Sequence, residues 1–317
     1  MALDIEAVLD RRQLRRKLTF WRIAAFVVLA LAIVALLSAS GVLGKLDRPG
    51  AHIARVEING AITEDKDLIA MLERIEKDDN AKGALLVIDS PGGTMVGGEA
   101  IYAQVRKLAE AKPTVASVGT LAASAGYMIA VGADHVVARR SSIVGSIGVI
   151  FQYPQAKELL DKIGVQVREI KSSPLKAEPS PFHTPPPGAE EVIARIVAEG
   201  QEWFVDLVTE RRPLSREQVA ELADGSVYSG GRGLETKLVD ALGGEDVAKA
   251  WLVDAKGLDK ELPVRDWKPT RPRRGFSLTG SLATLLGLEG DGVVGYLTER
   301  LPAGLADAGL MAVWRID

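Results

Sequence analysis

A membrane-spanning helix followed by one α/β domain with a central, largely parallel sheet is the architecture this sequence predicts. Three observations carry that reading. An uncharged apolar run, Ile23 to Leu43, directly follows a basic cluster. Downstream, strand-like apolar runs alternate with segments of helical periodicity. Ala84–Ile88, ALLVI, is apolar at every position, the pattern of a strand covered on both faces. The chain of 317 residues is 47% hydrophobic, enough for a substantial core, and its formal net charge of −3 gives no reason to expect a nucleic-acid partner. It has no Cys, which excludes thiol nucleophiles, thiolate metal sites and disulfides.

At the N-terminus, Arg11, Arg12, Arg15, Arg16 and Lys17 precede the apolar run. A helix over residues 23–43 would be roughly 31 Å long, against a hydrocarbon core of about 30 Å. The positive-inside rule keeps the tail, residues 1–22, in the cytoplasm and sends everything after the helix across the membrane. A cleaved signal peptide is the rival, because Ser38-Ala39-Ser40 could be cut. The run is longer than an ordinary signal core, which favours an uncleaved anchor. Residues 44–51, with Pro49-Gly50, read as a linker to a domain spanning 52–264.

Within that domain, Ile53, Val56 and Ile58 lie in a β-rich run ending at the turn residues Asn59-Gly60. Asp67–Lys77 has helical spacing, with Leu68, Ile69, Leu72 and Ile75 on one side. The ALLVI strand ends in Asp89-Ser90-Pro91-Gly92-Gly93, and Ala100–Leu108 reads as the next helix. Thr114–Val118 and His135–Ala138 are further strands. A helix at Gln155–Ile163 and a strand at Val165–Ile170 follow, then helices near Glu190–Glu210 and Ser215–Leu222. Residues 265–317 form a C-terminal tail, basic and proline-punctuated at first, then rich in Leu, Ala and Gly. Packing against the domain or a neighbouring subunit, an interfacial segment, or entry into a groove are the open readings of that tail.

The residues with chemical promise cluster around Leu121–Val131, LAASAGYMIAV. Ser124 sits among Ala122, Ala123, Ala125 and Gly126, after a strand and before a helix. Strand, tight turn, serine, helix is one way a fold exposes a nucleophile where free N–H groups favour negative charge. The Gly92-Gly93 loop lets a backbone N–H face an anion unobstructed, and no Lys follows Gly97-Gly98 as a phosphate loop would require. An oxyanion donor fits better.

In order, DSPGG (89–93), ASAGY (123–127), GSIGV (145–149), IKSSPLKAEPSPF (170–182) and ADGSVYSGGRGLETKLVDALGG (223–244) resemble the signal peptide peptidase A family in its short, single-repeat form. The resemblance runs over roughly Ile53 to Ala255. It implies a ClpP/crotonase-like fold of repeated β-β-α units and a membrane-anchored Ser-Lys protease. By that resemblance Ser124 is the nucleophile, Lys176 the general base, and Ser146 the hydroxyl that orients the lysine. Gly93, or alternatively Gly92, and the N–H of Ala125 correspond to the oxyanion hole. Lys171 is the nearest alternative base. The resemblance implies no metal and no cofactor. Its substrates are remnant signal peptides and other apolar peptides at the bilayer. It further implies a homo-octamer with active sites shared between subunits, in the cytoplasmic membrane with the catalytic domain outside. Two positions depart from the family: Ala125 stands where Gly is usual, and His183 where a basic residue is usual.

Lysine is a demanding base. With a free pKa near 10.4, only about four in ten thousand are neutral at pH 7, and lowering it to about 7 costs on the order of 4.6 kcal/mol. Burial can supply that shift. The sequence has three histidines, His52, His135 and His183, none in a setting that suggests a Ser-His-Asp triad. Three other readings compete: an acyl-CoA enzyme of the same fold class, a catalytically silent peptide-binding ring, and a protease for a stomatin-like membrane protein.

Overall fold

A computed structural model describes residues 20–29, 50–269 and 311–313. It comprises two units, Met1–Ala51 and His52–Asp317. In the first, residues 20–29 are helical with exposed apolar side chains such as Phe20, Trp21 and Phe26. Among the described residues no helix is long and apolar enough to cross a membrane. Most of the expected anchor, and most of the tail, lie outside the described residues.

The second unit is built on strands β1 (His52–Asn59), β2 (Ala81–Ser90), β4 (Thr114–Ala123), β5 (His135–Ala138), β6 (Ile143–Gly145), β7 (Val227–Ser229), β8 (Ala241–Leu242) and β9 (Val264–Trp267). They form one sheet in the order β7-β6-β4-β2-β1-β9, with β5 and β8 branching from β4. Every pairing is parallel except β6 with β7, so the sheet is mixed. Strand β4 divides its pairing. Val115–Val118 pair with β5, and Leu121–Ala123 pair with β6. The end of β4 is thereby turned away from β5 and delivered, with the chain's next residue, to β6.

Helices α1 (Lys66–Lys77), α2 (Met95–Ala111), α3 (Ala125–Val131), α4 (Lys157–Lys162), α5 (Ala189–Arg211), α6 (Arg216–Leu222), α7 (Gly230–Glu235) and α8 (Glu245–Asp254) complete the unit. Asp65 starts α1 by accepting the N–H groups of Asp67 and Leu68, and Ser215 with Gln218 makes a capping box for α6. Alternation along the strands fills both faces of the sheet. Val56, Leu86, Ala116 and Val136 face the larger core with α1, α2, α3 and α5. Ile53, Leu85, Val115 and Val137 pack against Ala248 and Leu252 of α8. That two-sided cover is why ALLVI carries no polar alternation.

The expected strand at Val165–Ile170 does not form. This stretch lies exposed with no sheet edge to pair with, and Ile170 is fully solvent-accessible. Its β-branched residues satisfy the pattern of a strand, but a strand exists only where a partner supplies the ladder. The helix expected at Gln155–Ile163 shortens to α4, whose residues are all at least partly exposed.

A buried ion pair ties α5 to the core beneath α3. Arg212 donates to both carboxylate oxygens of Asp240, at 2.9 and 2.8 Å, and to the carbonyl of Lys237 at 2.7 Å. Tyr127 of α3 donates to the next carbonyl, Leu238, at 2.8 Å. Burial disfavours the Asp240 charge, but the Arg212 hydrogen bonds outweigh it and hold the carboxyl below the ordinary range. A depressed carboxylate stabilises the fold above its unfolded pKa, and that contribution disappears as pH falls through the lower folded value. Asp240→Asn is therefore expected to lower the melting temperature at pH 7 and to flatten the acid-induced loss of stability below about pH 4. Arg212→Ala, which strands a half-buried carboxylate, should cost about 3–5 kcal/mol in denaturant unfolding at neutral pH.

Candidate active site

Strand β4 ends at Ala123 and α3 begins at Ala125, so Ser124 alone makes the turn, with φ 55° and ψ −120°. A non-glycine residue there is strained by roughly 1–3 kcal/mol and persists only where its surroundings hold it. Here they do. The Ser124 N–H donates to the Gly145 carbonyl at 2.8 Å, continuing the β4–β6 ladder, and its own carbonyl accepts from Met128 at 2.9 Å, opening the helix. The side chain is 1% exposed, and Oγ is one of two buried side-chain polar atoms with no hydrogen-bond partner among the described residues. An orphaned buried hydroxyl costs about 1–3 kcal/mol and is rare outside functional sites. Strain and an unpaired hydroxyl meet on one serine.

Ser146 lies directly beyond β6, on the strand that receives Ser124. It too has positive φ, 52°, and its N–H donates to the Ser226 carbonyl at 2.7 Å. The segments GSIGV and DGSVYS, far apart in sequence, thus meet through β6 and β7 beside the Ser124 turn.

On the other flank of α3 lies β3 (Gly92–Thr94). Ile62 donates to Gly92 O, and Thr94 donates to Ile62 O, both at 2.8 Å. By strand alternation the N–H of Gly93 faces the opposite edge. That edge carries β10 (Met311–Val313), antiparallel, with Ala312 opposite Gly93. The Gly92 N–H is already given to Ser90 Oγ at 3.1 Å. Of the two glycines considered for an oxyanion hole, Gly93 directs its N–H to the edge where a peptide strand pairs, and Gly92 does not. The N–H of Ala125 is the first of α3 and has no acceptor within the helix. Its methyl side chain is buried, which leaves the backbone N–H as the group it could offer.

The two lysines separate clearly. Lys171 is clamped between Glu169, at 2.5 Å, and Glu178. Those hydrogen bonds raise its pKa, so it stays protonated near neutrality and is a poor base. Sequence reading missed this cluster because its members are spaced irregularly through a loop. His183 completes it, with Nε2 3.2 Å from Glu169 and 3.3 Å from Glu178. Lys176 is exposed and makes no side-chain hydrogen bond or ion pair among the described residues. The structure does not join it to Ser124. No histidine fills that place either. His52 accepts from Trp267 Nε1 at 3.0 Å, His135 stacks on Trp251 at 4.7 Å, and His183 belongs to the Lys171 cluster.

Beside the lysine loop, an open apolar groove of about 350 Å³ runs between Val149–Tyr153 and α5, lined by Phe151, Pro179 and Ile193 among others. Around it Ile150, Val167, Ile170, Leu175 and Phe182 are exposed.

Comparison with known proteins gives a consistent result. Residues 106–259 match the family described as peptidase family S49. A protein of Synechocystis sp., classed by name with the proteases, is 38% identical over 245 residues, covering 74% of this chain and 88% of its own. A protein of Enterococcus faecium bearing the name signal peptide peptidase is 32% identical, over 60% of each chain. Protease 4 of Haemophilus influenzae is 33% identical over 60% of this chain and 32% of its own. Among solved structures, a ClpP1 variant from Listeria monocytogenes aligns with 60% of this chain and 91% of its own, at 18% identity and a TM-score of 0.42.

Proposed function

This chain belongs to peptidase family S49 and is a serine peptidase, and we propose that it is an endopeptidase whose Ser124–Lys176 dyad is completed between subunits. The observation that carries the reading is Ser124 itself, a strained, buried serine whose hydroxyl has no partner among the described residues. A base must take its proton during attack on the carbonyl, and Lys171 is held protonated by two carboxylates. Lys176 is the remaining lysine of that loop. It is exposed, whereas a lysine base needs a covered, apolar setting. A neighbouring copy docked on the apolar surface around Val149–Tyr153 would supply that cover. Such contacts, repeated head to tail, close into a ring, and a homo-octamer of ClpP/crotonase-like subunits is the assembly we favour.

Catalysis then runs through residues of this chain. Ser124 attacks the peptide carbonyl, the lysine removes the hydroxyl proton and passes it to the leaving amine, and water completes the cycle on the acyl-enzyme. Ser146 orients the lysine, and the N–H groups of Gly93 and Ala125 receive the developing oxyanion. Peptide enters by strand addition to β3, as residues 311–313 do within the chain. Remnant signal peptides and other apolar membrane-derived peptides are the substrates we favour, in line with the name of the Enterococcus relative and with an anchor at residues 23–43 in the cytoplasmic membrane. The catalytic domain would then sit on the extracytoplasmic side.

The test is hydrolysis of a fluorogenic peptide by the protein and three variants. Ser124→Ala and Lys176→Ala should fall to background while remaining assembled. Lys171→Ala should keep activity within about tenfold, because it loosens the loop without removing the base. Loss in Lys171→Ala with survival in Lys176→Ala would reverse the assignment.

A further inference from the structure

The motif Asp89-Ser90-Pro91-Gly92-Gly93 contributes more than its glycines. Ser90 is completely buried at the end of β2, and its hydroxyl holds two backbone groups together. Oγ donates to the Gly60 carbonyl at 2.7 Å and accepts the Gly92 N–H at 3.1 Å. A carbonyl can only accept, so the single hydroxyl proton is committed to Gly60 and the lone pairs to Gly92. This is the one side chain among the described residues that bonds the Gly92 amide. Gly92 has φ +106°, a conformation open to glycine, so the bond fixes the direction of a backbone that sterics alone leave free.

Two further contacts make Ser90 the link between the nucleophile and the oxyanion strand. The first turn of α3 rests on it: a side chain at Gly126 would lie 2.9 Å from the Ser90 carbonyl and 3.1 Å from its Cβ. Its neighbour Asp89 accepts the Leu121 N–H at 3.2 Å, bracing β4 three residues before Ser124. Ser90 is also in register with Ala122 of β4, across a shift in the β2–β4 ladder. One residue thus touches the helix that starts at Ser124 and the strand that offers Gly93.

We propose that Ser90 is a positioning residue whose hydroxyl, by holding the Gly92 amide and the Gly60 carbonyl, aims the Gly93 N–H at the oxyanion. It touches neither substrate nor nucleophile. It consumes the N–H that would otherwise compete, and it holds the peptide before Gly92 while Ile62 holds the one after it. The inference rests on the peptidase reading above. It predicts a defect centred on the transition state, because the negative charge that the Gly93 N–H would receive develops only as the carbonyl is attacked.

The experiment compares Ser90→Ala and Ser90→Cys with the parent in peptide hydrolysis. Binding of a peptide aldehyde, which forms a tetrahedral adduct, is measured alongside. Uncleaved-peptide affinity is read in a Ser124→Ala background. Ser90→Ala should lower kcat about 10- to 100-fold, short of deleting an oxyanion donor outright. KM and uncleaved-peptide affinity should stay within about twofold, and aldehyde affinity should fall by the same factor as kcat. Ser90→Cys, of similar size but weaker in hydrogen bonding, should lie between. If a folded Ser90→Ala keeps parental kcat, or if substrate and aldehyde affinities fall together, the positioning role is wrong. Should Ser90→Ala fail to fold, Ser90→Cys decides by the same split. A parent that cleaves nothing overturns the peptidase reading instead, and the aldehyde arm shows this by failing to form any adduct.

Discussion

Subunits carrying Ser124→Ala, mixed with an equal amount carrying Lys176→Ala, are expected to regain about one quarter of parental activity when the mixed assemblies form. The figure follows from geometry. Each site needs an intact serine from one subunit and an intact lysine from its neighbour, and random mixing meets each condition half the time. Either variant alone should be depressed at least about 10^4-fold, because a serine without a base and a base without a serine are comparably inert. An intra-chain dyad predicts no recovery at any ratio. The separation in the structure motivates the inter-subunit alternative: Ser124 Oγ is buried and unpartnered, while Lys176 is exposed. The measurement is peptide hydrolysis after dissociation and reassembly, with each single-variant assembly carried through the same cycle. No recovery in assemblies shown to be mixed would return the lysine to its own chain, and the loop would then have to move.

Much of the sheet was legible because its signals are local. Ala84–Ile88 is continuous apolar sequence between two helical covers, and the structure places it in β2, buried on both faces. The turn at Ser124 was legible for a similar reason: small residues between a strand and a helix leave few ways to connect them. What local pattern does not encode is pairing. Val165–Ile170 has the composition of a strand yet lies exposed, since no edge is offered to it. The Glu169–Lys171–Glu178–His183 cluster was invisible for the same reason, as its contacts depend on the path of a proline-rich loop. Ser90 stood in plain view inside a glycine motif. Its role emerged only when Gly60, thirty residues earlier, proved to be its acceptor.

Gly93→Ala should be among the most damaging single methyls at the described glycines. A Cβ at Gly93 would lie 1.9 Å from the Ile62 carbonyl oxygen and 2.5 Å from its nitrogen, both backbone atoms of the isolated bridge residue that pairs with β3. Neither can swing aside as a side chain could. Either β3 separates from Ile62, giving up the two hydrogen bonds on that edge, or the Gly93 peptide rotates. Both routes move the N–H proposed to receive the oxyanion. Overpacking at such a site costs about 1–3 kcal/mol of stability, and loss of the donor should lower kcat by about 10²–10³-fold. Gly231→Ala is the matched control: a Cβ there meets Arg140 at ordinary contact distances of 3.5–3.7 Å, so melting temperature and kcat should both hold. A Gly93→Ala protein that melts lower but keeps its kcat would separate the two effects. The oxyanion would then have to be received elsewhere, and the β3 edge that pairs with β10 would serve only to bind peptide.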